Sequence, residues 1–343
     1  MTYAAQLCCR GVMISAPLFC LDIRVLCMAV SSPLSSPFFK FTADTWSTFK
    51  HSSDRLTLTE DDLKRCAAFN DKISLAEVEK IYVPLSRLLY LYYISRHDRL
   101  AIIHKFLCES MDTVPFIISI SGSVSVGKTT CAKLLNELIK NWPNHPKVSM
   151  ITTDGFLYPN KVLEQKMLLS RKGFPVSYDV KRLMKFLADV KDGKPDLKVP
   201  VYSHLTYDVV PGQFTIVDRP NILIIEGINV LQNGADYPTI RNSAFISDFI
   251  DYSIYMDAPE EYLMNWYVER FLKLREETFN DPSSYFHKYA HIPEDQAVII
   301  ARLIWESINH PNLIENIMPC RNRASLILRK GKDHNIEEVL LRK

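Results

Sequence analysis

The sequence predicts an α/β protein built on a mostly parallel, doubly wound sheet with flanking helices. Three observations lead there. The stretch ISISGSVSVGKTTCAKLL, Ile118 to Leu135, sets two glycines five apart just before a lysine and a threonine, although the 343-residue chain has only 10 glycines. Strand-like and helix-like runs alternate after it, the pattern of crossover connections between parallel strands. Two of the later apolar runs end in an acid, Asp154 and Glu226. Ligands of such sheets sit at the carboxyl ends of the strands.

The spacing of the first stretch is G-x-x-x-x-G-K-[ST], the phosphate-binding loop. Gly122, Ser123, Val124, Ser125, Val126 and Gly127 form the cradle, in which glycines let backbone N–H groups converge on phosphate oxygens. Lys128 reaches the outer phosphates, the Thr129 hydroxyl is a Mg²⁺ ligand, and Thr130 follows on the same turn. The flanks agree. Pro115–Ser121 is a buried-strand run, and Leu134, Leu135, Leu138 and Ile139 have helical spacing. The helix starts at the loop, so its positive end adds to anion binding.

The remaining elements follow in order. Residues 59–111 predict an N-terminal helical segment, with a cap at Thr59 and a capping box from Ser74 to Glu77. Val148–Asp154 is a second strand. Its acid is a candidate proton acceptor because this strand neighbours the loop, and Gly155 leaves room for a substrate. Asp179–Val190 predicts an amphipathic helix. Val199–Asp218 alternates about Pro211-Gly212 and predicts a β-excursion turning there. Asn221–Gly227 is a buried strand ending at Glu226, where a carboxylate helps hold Mg²⁺. Phe249–Asp257 is a strand, Pro259–Thr278 and Pro293–Ile308 are helices, and Ser325–Gly331 closes the sheet. Tyr267 and Arg270 lie three apart on one helix face.

Composition narrows the function. At 47% hydrophobic, the chain can bury a large core. Lys+Arg 41 against Asp+Glu 39 leaves a net charge of +2, which disfavours nucleic acid as a partner. No apolar run is long enough for a membrane span. Cys8, Cys9, Cys20, Cys27, Cys66, Cys108, Cys131 and Cys320 include no C-x-x-C pair, which fits a reduced, cytoplasmic protein. Half of them fall in residues 1–27, broken up by Pro17, Asp22 and Arg24, so this stretch reads as a disordered extension rather than a targeting peptide.

Further strings carry a resemblance. TTDGFLYPN, RKGFPVSYD, PVYSHLTYDVVP, ILIIEGINVLQ, DPSSYFHKYA, PLSRLL and RASLIL are all similar to bacterial type I pantothenate kinase, a family with the P-loop kinase fold. The likeness runs over residues 28–343 as a single domain, with 59–111 its helical segment and 115–343 its α/β core; 1–27 has no counterpart. It implies transfer of a phosphoryl group from ATP, with Mg²⁺, to the hydroxyl of pantothenate, the first step of coenzyme A synthesis, in a homodimer. It further implies Asp154 as base, Lys128 and Arg270 at the transferring phosphoryl group, and Tyr202, His204, Tyr267 and Asn309 around pantothenate. Asn70, Lys330 and His334 fall in the adenine pocket. Lys133 stands where an arginine usually grips the feedback inhibitor coenzyme A, and Leu274 where an aromatic is common. A uridine kinase or phosphoribulokinase is the alternative of the same architecture. A regulatory GTPase is disfavoured, since Asn160-Lys161-Val162-Leu163 lacks the aspartate of N-K-x-D.

Overall fold

The computed structural model describes residues 36–51, 56–68, 71–108, 114–232 and 245–343, so the stretch 1–27 and Asn70 lie outside the described residues. The strands are β1 (Phe38–Thr42), β2 (Phe116–Gly122), β3 (Val148–Thr152), β4 (Leu197–Ser203), β5 (Asp208–Val217), β6 (Ile222–Glu226), β7 (Tyr252–Asp257), β8 (Leu326–Lys330) and β9 (Ile336–Arg342). The described residues form a seven-stranded sheet in the order β1-β9-β8-β7-β2-β6-β3, and β4 pairs with β5 apart from it. From β8 to β3 all pairings are parallel; β9 and β1 add antiparallel pairings at one side.

Two expectations change here. Ser325–Gly331 does not close the sheet, because β9 and β1 lie beyond it. Nor is the strand of Asp154 next to the loop strand: β6 lies between β3 and β2. A buried β6, with Ile222 to Ile225 all at 0% exposure, can only take an interior place.

Among the described residues the longer helices are α1 (Glu60–Cys66), α2 (Val83–Leu107), α3 (Lys128–Lys140), α4 (Val180–Lys191), α5 (Glu260–Glu277) and α6 (Glu294–Ile304). Thr59 and Asp62 make a reciprocal capping box at α1. Ser74 provides half of one, accepting from Glu77 N, while the Glu77 carboxylate turns inward and accepts from Ile336 N at 2.9 Å. Asp179 caps α4 by accepting from Arg182 N at 3.1 Å. Leu134, Leu135, Leu138 and Ile139 bury the face of α3 as their spacing requires. After α6 the helical path widens into π turns at Trp305–Asn309 and Leu313–Ile317.

The β-excursion exists, but it does not turn at Pro211-Gly212. The chain reverses between Ser203 and Asp208, with Tyr207 at φ 50° and Thr206 N donating to Ser203 Oγ at 3.2 Å. Pro211 and Gly212 sit inside β5, where the register shifts opposite Pro200–Tyr202. A proline without N–H and a glycine at φ +74° make a bulge as readily as a turn.

Candidate active site

The loop between β2 and α3 requires its glycines. A side chain on Gly122, at φ +141°, would place Cβ 2.4 Å from the Met256 carbonyl oxygen. On Gly127, at φ +94°, it would lie 2.9 Å from Lys330 Nζ and 3.1 Å from both Asp71 carboxylate oxygens. Lys128 donates from Nζ to the Ser123 carbonyl at 2.6 Å, curling back over the loop. The buried hydroxyls of Ser123 and Ser125 have no protein partner. Ala68, Asp71, Ser125, Gly127, Lys128, Thr129 and Arg270 line one cleft.

Sheet register brings the acids to this cleft. Glu226 pairs in register with Ile120 on one side and Thr152 on the other, so Gly122, Glu226 and Asp154 all emerge near one level. Thr129 Oγ1 donates to Glu226 at 2.8 Å. Burial pushes the Glu226 carboxyl up, while Lys128 and the Thr129 bond draw it down. Among the described residues no three His, Cys, Asp or Glu side chains gather as a closed metal cage. A hydroxyl and one carboxylate side by side nonetheless suit Mg²⁺, which takes few protein ligands and completes its shell with phosphate and water oxygens.

Asp154 lies in the turn Thr153–Phe156, its N–H donating to Thr152 Oγ1 at 3.3 Å. Its charge acts on Lys128, Glu226, His204, Tyr202 and Lys172. Gly155 does not leave space for a substrate. A Cβ there would meet the Pro200 carbonyl oxygen at 2.1 Å, so the glycine admits the backbone of β4. That close approach brings Tyr202 and His204 beside Asp154. Likewise, a Cβ on Gly227 would lie 2.0 Å from Thr153 Oγ1, which locks the two acid-bearing turns together.

Tyr202 and His204 meet edge to face at 5.2 Å, and Tyr207 continues the aromatic wall to Tyr285 and Phe286. The cleft walls hold the His204 imidazole below its ordinary value; Arg270, Lys172 and Lys128 push the same way, and Asp154 opposes them. Neutral at pH 7, the ring can accept as well as donate a hydrogen bond. Burial raises the Tyr267 phenol, against Asn309 and the Arg270 charge. Asn309 lies within hydrogen-bonding reach of that phenol, so the two polar groups sit together on this side of the cleft. Leu274 packs partly buried with Phe271, Phe279 and Phe286 behind this wall.

On the other side of the loop, Lys330 donates to the Val126 carbonyl at 3.2 Å, and His334 stacks on Trp266 at 4.1 Å. Burial and Lys330 bring His334 down to about 4, so it is uncharged. Asp71 ties this side together. It accepts from the Thr130 hydroxyl and lies 3.8 Å from Lys330 Nζ. Lys133 reaches the Arg65 carbonyl at 3.4 Å, at the end of α1.

The family model "Phosphoribulokinase / Uridine kinase family" matches residues 117–286, from the loop strand to the aromatic wall. Over 311 residues the chain is 51% identical to the pantothenate kinase of Vibrio cholerae serotype O1, covering 91% of this chain and 99% of that protein. The chain belongs to the pantothenate kinase family. The pantothenate kinase of Mannheimia succiniciproducens is 53% identical, covering 90% of this chain and 96% of that one. That of Escherichia coli O1:K1 / APEC is 50% identical over a similar share.

As in other P-loop kinases, the nucleotide loop sits at the centre of a parallel sheet. Lys128, Thr129, Glu226, Asp154, Arg270, Tyr202 and His204 gather at its carboxyl edge; Lys330 and His334 gather on the far flank. Asp71, Trp266 and Lys172 also stand at the site, although the sequence gives them little local signal. Lys172 lies inside RKGFPVSYD, a string that carried the family likeness, and that was its one signal. Asp71 and Trp266 adjoin Asn70 and Tyr267, with no pattern of their own.

Proposed function

We propose that this pantothenate kinase family member transfers the γ-phosphoryl group of ATP to the hydroxyl of pantothenate. The carrying observation is the convergence of the Lys128 loop, the Thr129–Glu226 pair, Asp154 and Arg270, in a chain half identical to pantothenate kinases from end to end of those proteins. Asp154 accepts the proton of the attacking hydroxyl. Lys128 and Arg270 spread positive charge over the transferring group, and loop N–H groups hold the inner phosphates. Mg²⁺, held by Thr129 and Glu226, supplies charge neutralisation when bound. Tyr202, His204, Tyr267 and Asn309 grip pantothenate, and Lys330, His334 and Asn70 frame the adenine. ADP release measured with pantothenate, uridine and ribulose 5-phosphate tests the reading. Turnover with pantothenate alone is expected; preference for uridine or ribulose 5-phosphate overturns it.

The same reading includes feedback by coenzyme A competing with ATP through Lys133, which keeps a charge but lacks arginine's bidentate fork. It also places the protein in the cytoplasm, in keeping with free Cys66, Cys108, Cys131 and Cys320. Among the described residues no helix is long and apolar enough to cross a membrane. Homodimer formation fits the flank of α2, where Leu91, Ile102 and Phe106 are exposed, with Asp98 and Arg99 between them.

A further inference from the structure

The wall of the acceptor pocket contains a buried cation. Lys172 is 6% exposed, and its ammonium lies 4.0 Å from the centre of the Tyr207 ring and 5.1 Å from that of Tyr202. It donates to Asn160 Oδ1 at 2.6 Å and to the Tyr207 carbonyl. The charges acting on it are Asp208 and Asp154. A long, flexible lysine holds such a place only if its backbone is fixed, because side-chain freedom otherwise costs the geometry.

The fixing comes from a different element. The next residue, Gly173, stands at φ +92°, and its carbonyl accepts from Asn312 Nδ2 at 2.9 Å. Asn312 is itself 6% exposed, and its Oδ1 accepts from Asn316 Nδ2 at 2.9 Å. The Gly173 carbonyl can only accept, so the amide orientation is determined by its partners. On the other side of the turn, Gly173 N donates to Ser177 Oγ at 2.9 Å. The π turn ending at Asn309 and the one starting at Leu313 flank Asn312, so one helical stretch sends Asn309 into the pocket and Asn312 beneath it.

We propose that Asn312 is a positioning residue: it clamps the Gly173 carbonyl and so holds the Lys172 ammonium against Tyr202 and Tyr207 at the acceptor side of Asp154. The inference rests on the functional reading above in taking this wall as the pantothenate wall. It assigns Asn312 no contact with substrate.

Three measurements on the full chain test it. Asn312→Ala is expected to raise KM for pantothenate about tenfold while KM for ATP changes less than twofold. In a double-mutant cycle, Asn312→Ala added to Lys172→Met should cost less than a further twofold, because its effect passes through the lysine. Independently of any substrate, the pH dependence of Lys172 acetylation, followed by mass spectrometry, should move towards that of an ordinary lysine in Asn312→Ala. If Asn312→Ala does not fold, Asn316→Ala, which removes only the orienting partner, is read in the same way with smaller shifts. Losses that multiply in the cycle, equal effects on both substrates, or an unchanged acetylation profile overturn the inference. An unmutated chain that ignores pantothenate overturns the functional reading instead, and the acetylation profile still decides the clamp.

Discussion

Asp154 and Lys172 show what a single side chain contributes. Asp154→Asn keeps the shape of the turn and the phosphate cradle but removes the proton acceptor. The expected result is a fall in kcat of about 10²–10⁴-fold, with ATP binding by calorimetry within about twofold; a near-parental kcat would remove Asp154 from the base role. Lys128→Ala should instead weaken both. Lys172 makes a pH prediction. Burial lowers its ammonium from 10.5 to about 8, against the pull of Asp208 and Asp154. Between those two values the unfolded chain holds the proton that the folded chain has lost, so stability rises with pH there; below about 8 the full cost of the buried charge is present. The parent should therefore gain melting temperature relative to Lys172→Met as pH rises from 8 towards 10.5, and a flat difference would contradict the lowered value. The two residues also differ in how visible they are from sequence. Asp154 ends an apolar run, and Lys128 completes a spaced motif, so both declare a role locally. Lys172 owes its place to Tyr207 and Asn312, which are 35 and 140 positions away and follow no period.

Among the elements, the hairpin β4–β5 rests on the turn of Asp154 through one glycine. The Pro200 carbonyl occupies the volume of a Gly155 side chain, and β4 has little room to move aside because Val199 is buried beside it. Gly155→Ala should lift the hairpin and with it Tyr202 and His204. KM for pantothenate is expected to rise about tenfold or more and the melting temperature to fall by several degrees, since overpacking costs about 1–3 kcal/mol. ATP binding, made on the other side of the loop, should be retained. Steady-state kinetics in both substrates check this, and a pantothenate KM within twofold of the parent would show that the hairpin is not held there. The existence of this hairpin is legible in the alternation of Val199–Asp218, but its turn is not. Pro211-Gly212 carries a turn signature, yet pairing of Leu197–Pro200 with Phe214–Val217 makes it a bulge. Strand order escapes local reading for the same reason: only the complete burial of β6 separates an interior strand from an edge one.

The whole molecule places its chemistry at one end of the sheet and its fastening at the other. At the opposite, amino ends of β2 and β7, Asp251 accepts from Arg96 Nε of α2 at 3.0 Å, from Ile117 N of β2 at 2.8 Å and from Lys191 of α4. Lys191 also donates to the Pro115 carbonyl at 3.0 Å, and burial lowers its ammonium while Asp251 raises it. One carboxylate thus joins the helical segment, a flanking helix and the central strands, at side chains only 12–23% exposed. Asp251→Asn keeps an acceptor for Ile117 N but leaves two poorly solvated cations facing each other. Breaking such a pair from one side costs about 3–5 kcal/mol, reduced here by the remaining exposure to about 2–3. For a chain of this size, that corresponds to a fall in melting temperature of roughly 3–4 °C. The site lies the full length of the strands away, so kcat and both KM values at 25 °C should stay within about twofold. Thermal melts and kinetics on the same preparation decide between fastening and function. An unchanged melting temperature, or a loss of kcat in protein that remains folded, would mean that Asp251 does something other than hold α2 and α4 to the sheet.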